Sequence, residues 1–584
     1  MSRWVGSSRY FQRYCAPKIT TPWPGRPLSA SWVNTWQDLP GSQTPPDLHC
    51  GGNGGKQILS KGTGKVSIGA GRDHPGKKLK VWLAQNALVL SVGLLLSMAL
   101  YYPIVRDGLE NLDSFCTAEP YWADQWEQIP YWETVQGRWG LRLCDALTAG
   151  MHPYFLTVLA VSVFYLLGTL LICDLLDIRS RYLRLVSAAL VGCSQYVMNI
   201  QTYRYCSAAY AFSFFLAVLA AVLASRQRGS LVAAGALCLL FSLGLYQCSL
   251  GVTAVLCLFV IFRVLVRRGR FDTEVRTAVT RLVAMGGAGT LGYLIVLQVF
   301  LKLYGVSLAS INGIDQVGMG LLPRIPEGIR QAYQDFWEYF FGREIAQNYY
   351  SIRVLHVLLF LCAGMAVIAL LFGRRKNPAV CIGLLLCLAL LPAAANVTDI
   401  INPSTRIVLR MAGGMAVVPV FCVGLLAQSA WIPAEPLKKY GVLLLGVVLL
   451  RGYMLQSNND IQVLQSDKNQ GITLGYQILA QLDDREEYGQ GMQVAIIGYP
   501  EVASSEYRNK ANPLIRNGIF PGYAENNRDA WIRLMDQELG AQISWCSYSQ
   551  QAKIWASEAF AAMPTFPREG SIAILDDVLV VKIS

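Results

Sequence analysis

The segment between residues 106 and 150 carries the residue types best suited to chemistry. Its carboxylates stand among aromatic rings and include Asp113, Glu119 and Asp124. A carboxylate can take the proton of an attacking hydroxyl group, and an arginine such as Arg138 can hold a phosphate leaving group through charge-assisted hydrogen bonds. Aromatic neighbours such as Trp139 would stack on the apolar face of a sugar. The same composition also fits a solvated acidic loop with an interfacial belt of aromatic residues.

Other polar residues stand at the ends of apolar runs and are candidates to share a cavity with this segment. They are Tyr203, Arg204, Tyr246, Gln247, Arg406 and Arg410. An arginine at a membrane boundary often only extends its charged head to the interface. Several that face one cavity would instead be costly unless they serve a function. Sequence spacing leaves both alternatives open.

The elements that must position these residues are membrane helices. The chain has 584 residues, of which 53% are hydrophobic and 15% charged, and its mean hydropathy is +0.35. Soluble chains usually carry about 25% charged residues. Apolar runs of about 20 residues, each long enough to cross a bilayer, recur between positions 81 and 455. The pattern predicts a multi-pass, polytopic α-helical membrane protein with about eleven transmembrane helices.

The charge pattern predicts how these spans are oriented. The predicted spans lie near 80–105, 153–176, 185–202, 207–225, 230–247, 249–266, 282–303, 352–372, 378–395, 411–432 and 440–454. Every second connection carries a Lys/Arg cluster, and such clusters favour the cytoplasmic side. Segment 106–150, with eight acidic residues and three basic ones, agrees with an outer position. We therefore expect a cytoplasmic N-terminus and an extracytoplasmic C-terminal end.

Composition divides the chain into three parts. Residues 1–76 are rich in Gly, Pro, Ser and Arg and read as a disordered extension or a gene-model artefact. Residues 77–455 are expected to form the membrane domain, with long outer connections at 106–150 and 304–350. The second connection has aromatic residues at helical spacing, which is typical of an interfacial or a packing helix. Residues 456–584 alternate polar helical stretches with strand patterns near 494–498 and 572–583, which predicts a small extracytoplasmic α/β domain.

Two other classes are not favoured by the composition. The net charge of +12 comes from short basic clusters between apolar runs, which fits membrane orientation and argues against a nucleic-acid partner. The four histidines are scattered, and the sequence has no CxxC and no HExxH motif, so a zinc site is not indicated.

The order of motifs resembles the bacterial type II glucosyltransferase membrane family, of the serotype-converting kind, within the broader GT-C class. The matching residues are Asn111-Leu112-Asp113 after the first span, Gly137-Arg138-Trp139 before the second, and Leu245-Tyr246-Gln247 later. The similarity covers about 81–455. It implies a GT-C-like fold in a bacterial cell membrane and transfer of glucose, or a similar hexose, from a polyprenyl-phosphate carrier to a cell-surface glycan.

The resemblance also implies residue roles. Asp113 falls on the family's acidic position and is the expected general base. The family often has a second acidic residue directly after it, where this chain has Ser114, so assistance from Glu110, Glu119 or Asp124 stays open. Arg138 falls on the family's arginine and is expected to bind the lipid phosphate, with Arg204, Arg406 or Arg410 as further ligands. Trp139, Tyr246 and Gln247 are expected to line the outer cavity. A divalent cation is compatible with GT-C enzymes, but no pattern here requires a cofactor.

Two rival functions belong to other classes. A transporter or flippase for lipid-linked sugars would show internal repeats and charged residues at mid-membrane; no clear repeat is present, and the polar residues gather near the predicted outer ends. An assembly protein that binds the cell wall through its outer domain is the second rival.

Overall fold

The computed structural model describes residues 75–115, 131–309, 321–403, 406–428, 435–500, 505–516, 518–519 and 528–584. Within these ranges the chain is mainly helical. The helices up to residue 304 are α1 (Pro75–Asp107), α2 (Leu112–Phe115), α3 (Trp132–Val135), α4 (Trp139–Thr148), α5 (Tyr154–Leu175), α6 (Arg181–Gly192), α7 (Gln195–Gln201), α8 (Ser207–Ala224), α9 (Gly229–Leu245), α10 (Ser249–Arg268) and α11 (Thr273–Tyr304).

The second half begins with another long helix. Its helices are α12 (Leu321–Phe341), α13 (Tyr350–Arg374), α14 (Pro378–Ala389), α15 (Leu391–Ala395), α16 (Val397–Ile401), α17 (Gly413–Ala416), α18 (Val418–Gln428), α19 (Glu435–Asp483), α20 (Glu486–Gly489), α21 (Glu506–Asn509), α22 (Pro513–Arg516), α23 (Arg528–Ile532), α24 (Tyr548–Trp555) and α25 (Glu558–Ala562), with a 3₁₀ helix at Leu409–Met411 and a π-helix at Arg533–Glu538. The strands are β1 (Val494–Ile497), β2 (Ile572–Leu575) and β3 (Val578–Lys582).

Seven helices in the described ranges are long and apolar enough to cross a membrane. An eighth span results if α6 and α7, which meet at an angle of 52°, count as one. Three shorter apolar helices, Gly229–Leu245, Pro378–Ala389 and Gly413–Gln428, lie where the sequence predicts spans five, nine and ten. Leucines such as Leu95, Leu291 and Leu361 are exposed on the long helices, as expected for surfaces that face lipid. The membrane-protein prediction is confirmed, while the number eleven stays a prediction.

Local sequence signals explain where the helices begin and end. The Asp272 side chain accepts hydrogen bonds from the backbone N–H groups of Glu274 and Val275, at 3.1 and 3.2 Å, and so caps α11. The same helix ends at Gly305, whose φ of +67° suits a glycine at a helix C-terminus. In the bundle α8 packs against α5 and α9, and α9 packs against α11.

The basic connections contact one another at one end of the bundle. Arg263 and Arg267 lie 3.6 and 2.9 Å from Asp177, and Arg374 donates to the carbonyl oxygen of Val266 at 2.8 Å. These contacts join the C-terminal ends of α10 and α13 with the loop after α5, that is, the ends of the second, sixth and eighth predicted spans. Which end of the bundle faces the cytoplasm stays a prediction.

The aromatic helix predicted in segment 304–350 is α12. Phe340 is buried and stacks edge-on to Phe360 of α13, with ring centroids 5.0 Å apart. Tyr333 and Trp337 are exposed on the same helix. One side of α12 therefore packs on the bundle, and the other side is free to lie at an interface.

The C-terminal part forms a three-stranded sheet with the order β1-β3-β2. Strand β1 pairs with β3 in parallel, and β2 pairs with β3 antiparallel. The single strand predicted over 572–583 is a hairpin, because Asp576 and Asp577 adopt positive φ angles of 48° and 60° and turn the chain within two residues. Helix α19 runs without a break through residue 455, where the sequence places the end of the membrane domain.

Candidate active site

The turn that carries Asp113 is fixed to the bundle by Asn111. The backbone N–H of Asn111 donates to the carbonyl oxygen of Thr202 at 3.1 Å, and its side-chain amide donates to the Thr202 hydroxyl at 2.9 Å. The Asn111 side chain also accepts from the backbone N–H of Ser114 at 3.0 Å, as a helix-capping asparagine does. Asp113 is thereby placed on the short helix α2 directly after the first span.

Asp113 faces an arginine from a distant part of the chain. Arg410 Nη1 lies 3.3 Å from Asp113 Oδ2. The same guanidinium lies over the Tyr203 ring at 4.9 Å and donates to its hydroxyl. The Asp113 side chain is 46% exposed, while that of Arg410 is 23% exposed. The carboxylate is therefore oriented by protein groups and still open to a molecule from solvent.

Arg138 lies on a second wall, beside two stacked tyrosines. The rings of Tyr210 and Tyr246 are parallel, with centroids 4.0 Å apart, and the Tyr210 hydroxyl accepts a hydrogen bond from Arg138 Nη1 at 2.8 Å. The Arg138 guanidinium lies 5.6 Å from the Tyr246 ring centroid, and the Tyr246 hydroxyl donates to the Arg410 carbonyl oxygen at 3.2 Å. Tyr246 thus joins the Arg138 wall to the Arg410 wall.

The two guanidinium groups influence each other. Burial lowers the pKa of Arg138, and repulsion from Arg410 lowers it further. The neighbouring tyrosines raise it by more than this, so the pKa of Arg138 lies above its ordinary value. Both side chains therefore stay cationic. Arg138 Nε has no hydrogen-bond partner among the described residues. Among the described residues of the site, the two cations outnumber the carboxylate of Asp113, and this positive charge suits an anionic ligand.

Gln247 and Trp139 hold the turn that presents Arg138. Gln247 Nε2 donates to the Gln136 carbonyl oxygen at 2.6 Å, and the Tyr293 hydroxyl donates to the Gly137 carbonyl oxygen at 3.0 Å. Gly137 has a φ of +79° and no room for a side chain, because a Cβ would lie 2.5 Å from Gln247 Nε2. Trp139 is buried and stacks on Phe300 at 5.4 Å. Gln247 and Trp139 therefore support the site from behind.

Arg204 and Arg406 lie outside this cluster. Arg204 Nε is 3.1 Å from Glu110 Oε1, and the Glu110 carboxylate also accepts from Arg533 at 2.9 Å. Glu110 is thus held by ion pairs on both sides. Arg406 lies in a separate cleft, where it pairs with Glu344 at 3.1 Å. Glu119 and Asp124 fall outside the described residues.

Tyr210 is the site residue that sequence reasoning missed. Its helix has the pattern of an uninterrupted apolar span, which does not indicate a polar role for a tyrosine within it. The available signal was the density of tyrosines over 203–210, with Tyr203, Tyr205 and Tyr210 close together. In the described ranges no three His, Cys, Asp or Glu side chains lie together where they could hold a metal ion.

The fold and site define a polytopic membrane protein whose helix bundle carries an acid–arginine–tyrosine site at one end. The sequence model of the family Glucosyl transferase GtrII matches residues 121–423, slightly more than half of the chain. The chain therefore belongs to this glucosyltransferase family, which confirms the resemblance inferred from the motifs. No curated protein and no solved structure matches the chain.

Proposed function

We propose that this protein transfers glucose, or a similar hexose, from a polyprenyl-phosphate carrier to a cell-surface glycan outside the bacterial cell membrane. The observation that supports this best is the convergence of Asp113, Arg410 and Arg138. The carboxylate is a suitable base for an acceptor hydroxyl, and two cations nearby are suitable for a phosphate. Membership of a glucosyltransferase family supports the hexose as the transferred group.

The proposed reaction has a single displacement step. Asp113 takes the proton of the acceptor hydroxyl, and the oxygen forms a bond to the anomeric carbon of the donor sugar. The bond between that carbon and the phosphate oxygen breaks with inversion. The phosphodiester of the donor becomes a phosphomonoester, so the leaving group gains one negative charge. Arg138 and Arg410 stabilise this added charge, and such stabilisation lowers the barrier because it is stronger in the transition state than in the bound donor.

The position of the site suits a donor with a lipid tail. Asp113 follows the end of α1, and Arg138 lies at the start of α4, shortly before the apolar helix α5 begins at Tyr154. A polyprenyl chain among the exposed apolar side chains of the bundle would bring its phosphosugar head to the helix ends. The acceptor would approach the exposed Asp113 from water. With the basic connections in the cytoplasm, this side is the outer one.

The proposal is tested with purified protein in detergent and a panel of donors. We expect transfer from polyprenyl-phosphate glucose to an oligosaccharide acceptor and none from a nucleotide-linked glucose. Transfer from the nucleotide sugar alone would overturn the proposed donor. Movement of intact polyprenyl-phosphate sugar across proteoliposomes, without transfer to an acceptor, would instead support a flippase.

A further inference from the structure

A second cleft lies between the membrane helices and the C-terminal segment. It has a volume of about 450 Å³ and is lined by Arg343, Glu344, Gln347, Arg406, Asn509 and Arg516, with Pro513 at its wall. The first four belong to the part of the chain that the family covers, and the others lie beyond its end at residue 423. The C-terminal segment therefore completes a cavity that the family part alone leaves open.

The two walls of this cleft are tied together directly. The backbone N–H of Gln347 donates to Asn512 Oδ1 at 2.8 Å, and its side-chain amide donates to the Asn509 carbonyl oxygen at 3.3 Å. Gln347 is 8% exposed, and its Oε1 has no hydrogen-bond partner within the described ranges. These bonds hold the cleft open as a preformed feature of the fold.

The cleft carries excess positive charge. The described residues that line it include three arginines and one carboxylate, that of Glu344, which pairs with Arg406. The side chains of this pair are 85% and 66% exposed, so the pair is weak and can exchange for a ligand. Arg516 donates to the carbonyl oxygen of Ala511 at 3.1 Å, but neither it nor Arg343 has a carboxylate partner among the described side chains. Arginine suits an anion-binding site of this kind because its fork binds carboxylate and phosphate through two parallel hydrogen bonds.

The chain itself connects this cleft to the candidate active site. Arg406 precedes Arg410 by four residues, and Arg410 contacts Asp113. Four extended residues span at most about 14 Å. An oligosaccharide with one unit in the cleft could therefore place another unit beside Asp113.

We propose that the cleft binds an anionic group of the acceptor glycan, a carboxylate or a phosphodiester, and so selects acidic acceptors. The inference rests on the proposed function, because it assigns the cleft to the acceptor of that reaction. It gives the C-terminal segment a role in choosing the acceptor, apart from the chemistry at Asp113.

The test measures binding to the full-length protein in detergent without any donor. The probes are a hyaluronan hexasaccharide, a glycerol-phosphate hexamer and neutral maltohexaose, at physiological salt. We expect at least one anionic probe to bind more tightly than maltohexaose. Arg343→Gln and Arg516→Gln should each weaken it by roughly tenfold, the effect of losing one charge-assisted hydrogen bond. The preferred anionic probe identifies the carboxylate or the phosphodiester as the ligand.

Matched variants separate this inference from the proposed reaction. Arg568→Gln removes an exposed arginine of the C-terminal segment outside the cleft and should bind the probe as the wild type does. The binding assay contains no donor, so its result does not depend on whether the protein transfers sugar. Equal binding of neutral and anionic probes, or binding that both cleft variants retain while folded, would overturn the inference even if sugar transfer is observed.

Discussion

Arg410 and Asp113 form an ion pair of 3.3 Å, although they are almost 300 positions apart in the chain. The pair brings the turn after the first membrane helix to the segment between α16 and α17. Tyr203 holds the same guanidinium from a third segment. An arginine placed in this way can orient the carboxylate and also reach a phosphate.

Replacement of Arg410 by lysine should separate charge from geometry. Lysine keeps the positive charge but loses the planar fork, whose Nη1 contacts both Asp113 and Tyr203 and whose other N–H groups can reach a phosphate. We expect kcat/KM for sugar transfer to fall by about 10- to 100-fold, equivalent to one charge-assisted hydrogen bond. Steady-state kinetics would show this. The matched control is Arg179→Lys, which alters an exposed pair with Asp177 at the basic end of the bundle. A similar fall of kcat/KM in the control would show that the loss is not specific to Arg410.

Gly137→Ala should displace Arg138 without touching its side chain. The added Cβ would meet Gln247 Nε2 at 2.5 Å and the Tyr293 hydroxyl at 2.7 Å, in a backbone conformation that alanine disfavours. We expect transfer to be strongly reduced. Gly305→Ala is the control, because Gly305 has a similar φ of +67° but open space around it. If both variants lost activity equally, backbone strain in general would explain the result, and the specific support of Arg138 would be disproved.

Glu110→Gln should destabilise the protein. The Glu110 side chain is 1% exposed and lies between Arg204 and Arg533, so the substitution removes a negative charge that both of these largely buried cations contact. Removing one partner of a buried ion pair costs about 3–5 kcal/mol. Thermal unfolding in detergent should show a clearly lower Tm. Glu506→Gln, which breaks an exposed pair with Lys510, should leave the Tm unchanged; an unchanged Tm for Glu110→Gln would contradict the structural role of this carboxylate.

Asp145 on α4 should make stability depend on pH. Burial and the nearby negative charge of Glu133 raise the pKa of Asp145 to about 8. Its neighbour His152 has a pKa lowered to about 4, by burial and by the positive charge of Arg204. Between the ordinary His value of 6.5 and pH 8, the folded state holds a proton on Asp145 that the unfolded state has released. Stability should therefore fall as pH rises through this window, by roughly 2 kcal/mol in total.

The opposing effect of His152 confines this prediction to the upper window. Below pH 6.5 the unfolded state gains a proton on His152. The contributions of His152 and Asp145 to the pH dependence of the free energy of unfolding therefore have opposite signs there. Unfolding curves from pH 6.5 to 8 for wild type and Asp145→Asn provide the measurement. The variant should show a flatter profile, and a wild-type slope that persists in the variant would place the titrating group elsewhere.

Much of the fold follows from sequence because it depends on local patterns. Apolar run length predicts the long helices, and the apolar strand patterns near 494–498 and 572–583 predict β1 and the segment that forms the β2–β3 hairpin. The continuity of α19 could not be predicted in this way. Its polar second half reads as a new domain, whereas Gln456 and Asp460 are buried because they bind the C-terminal segment, with Asp460 Oδ1 accepting from the Asn512 N–H at 3.0 Å.

The candidate site was only partly accessible to sequence reasoning. The motifs of Asp113, Arg138 and Tyr246 are each visible in the sequence, but no local pattern shows that they lie close together. Arg204 and Arg410 look alike in sequence, since each arginine stands near a predicted outer helix end. Only tertiary packing places Arg410 on Asp113 and Arg204 on Glu110.

The most direct test is the rate of sugar transfer in a single turnover by Asp113→Asn, with polyprenyl-phosphate glucose bound in excess enzyme. The asparagine keeps the shape of the side chain but cannot take the acceptor proton. We expect the rate to fall by about 10²- to 10⁴-fold, with donor affinity little changed, because Arg138 remains in place to hold the phosphate. Transfer at the wild-type rate would contradict Asp113 as the general base.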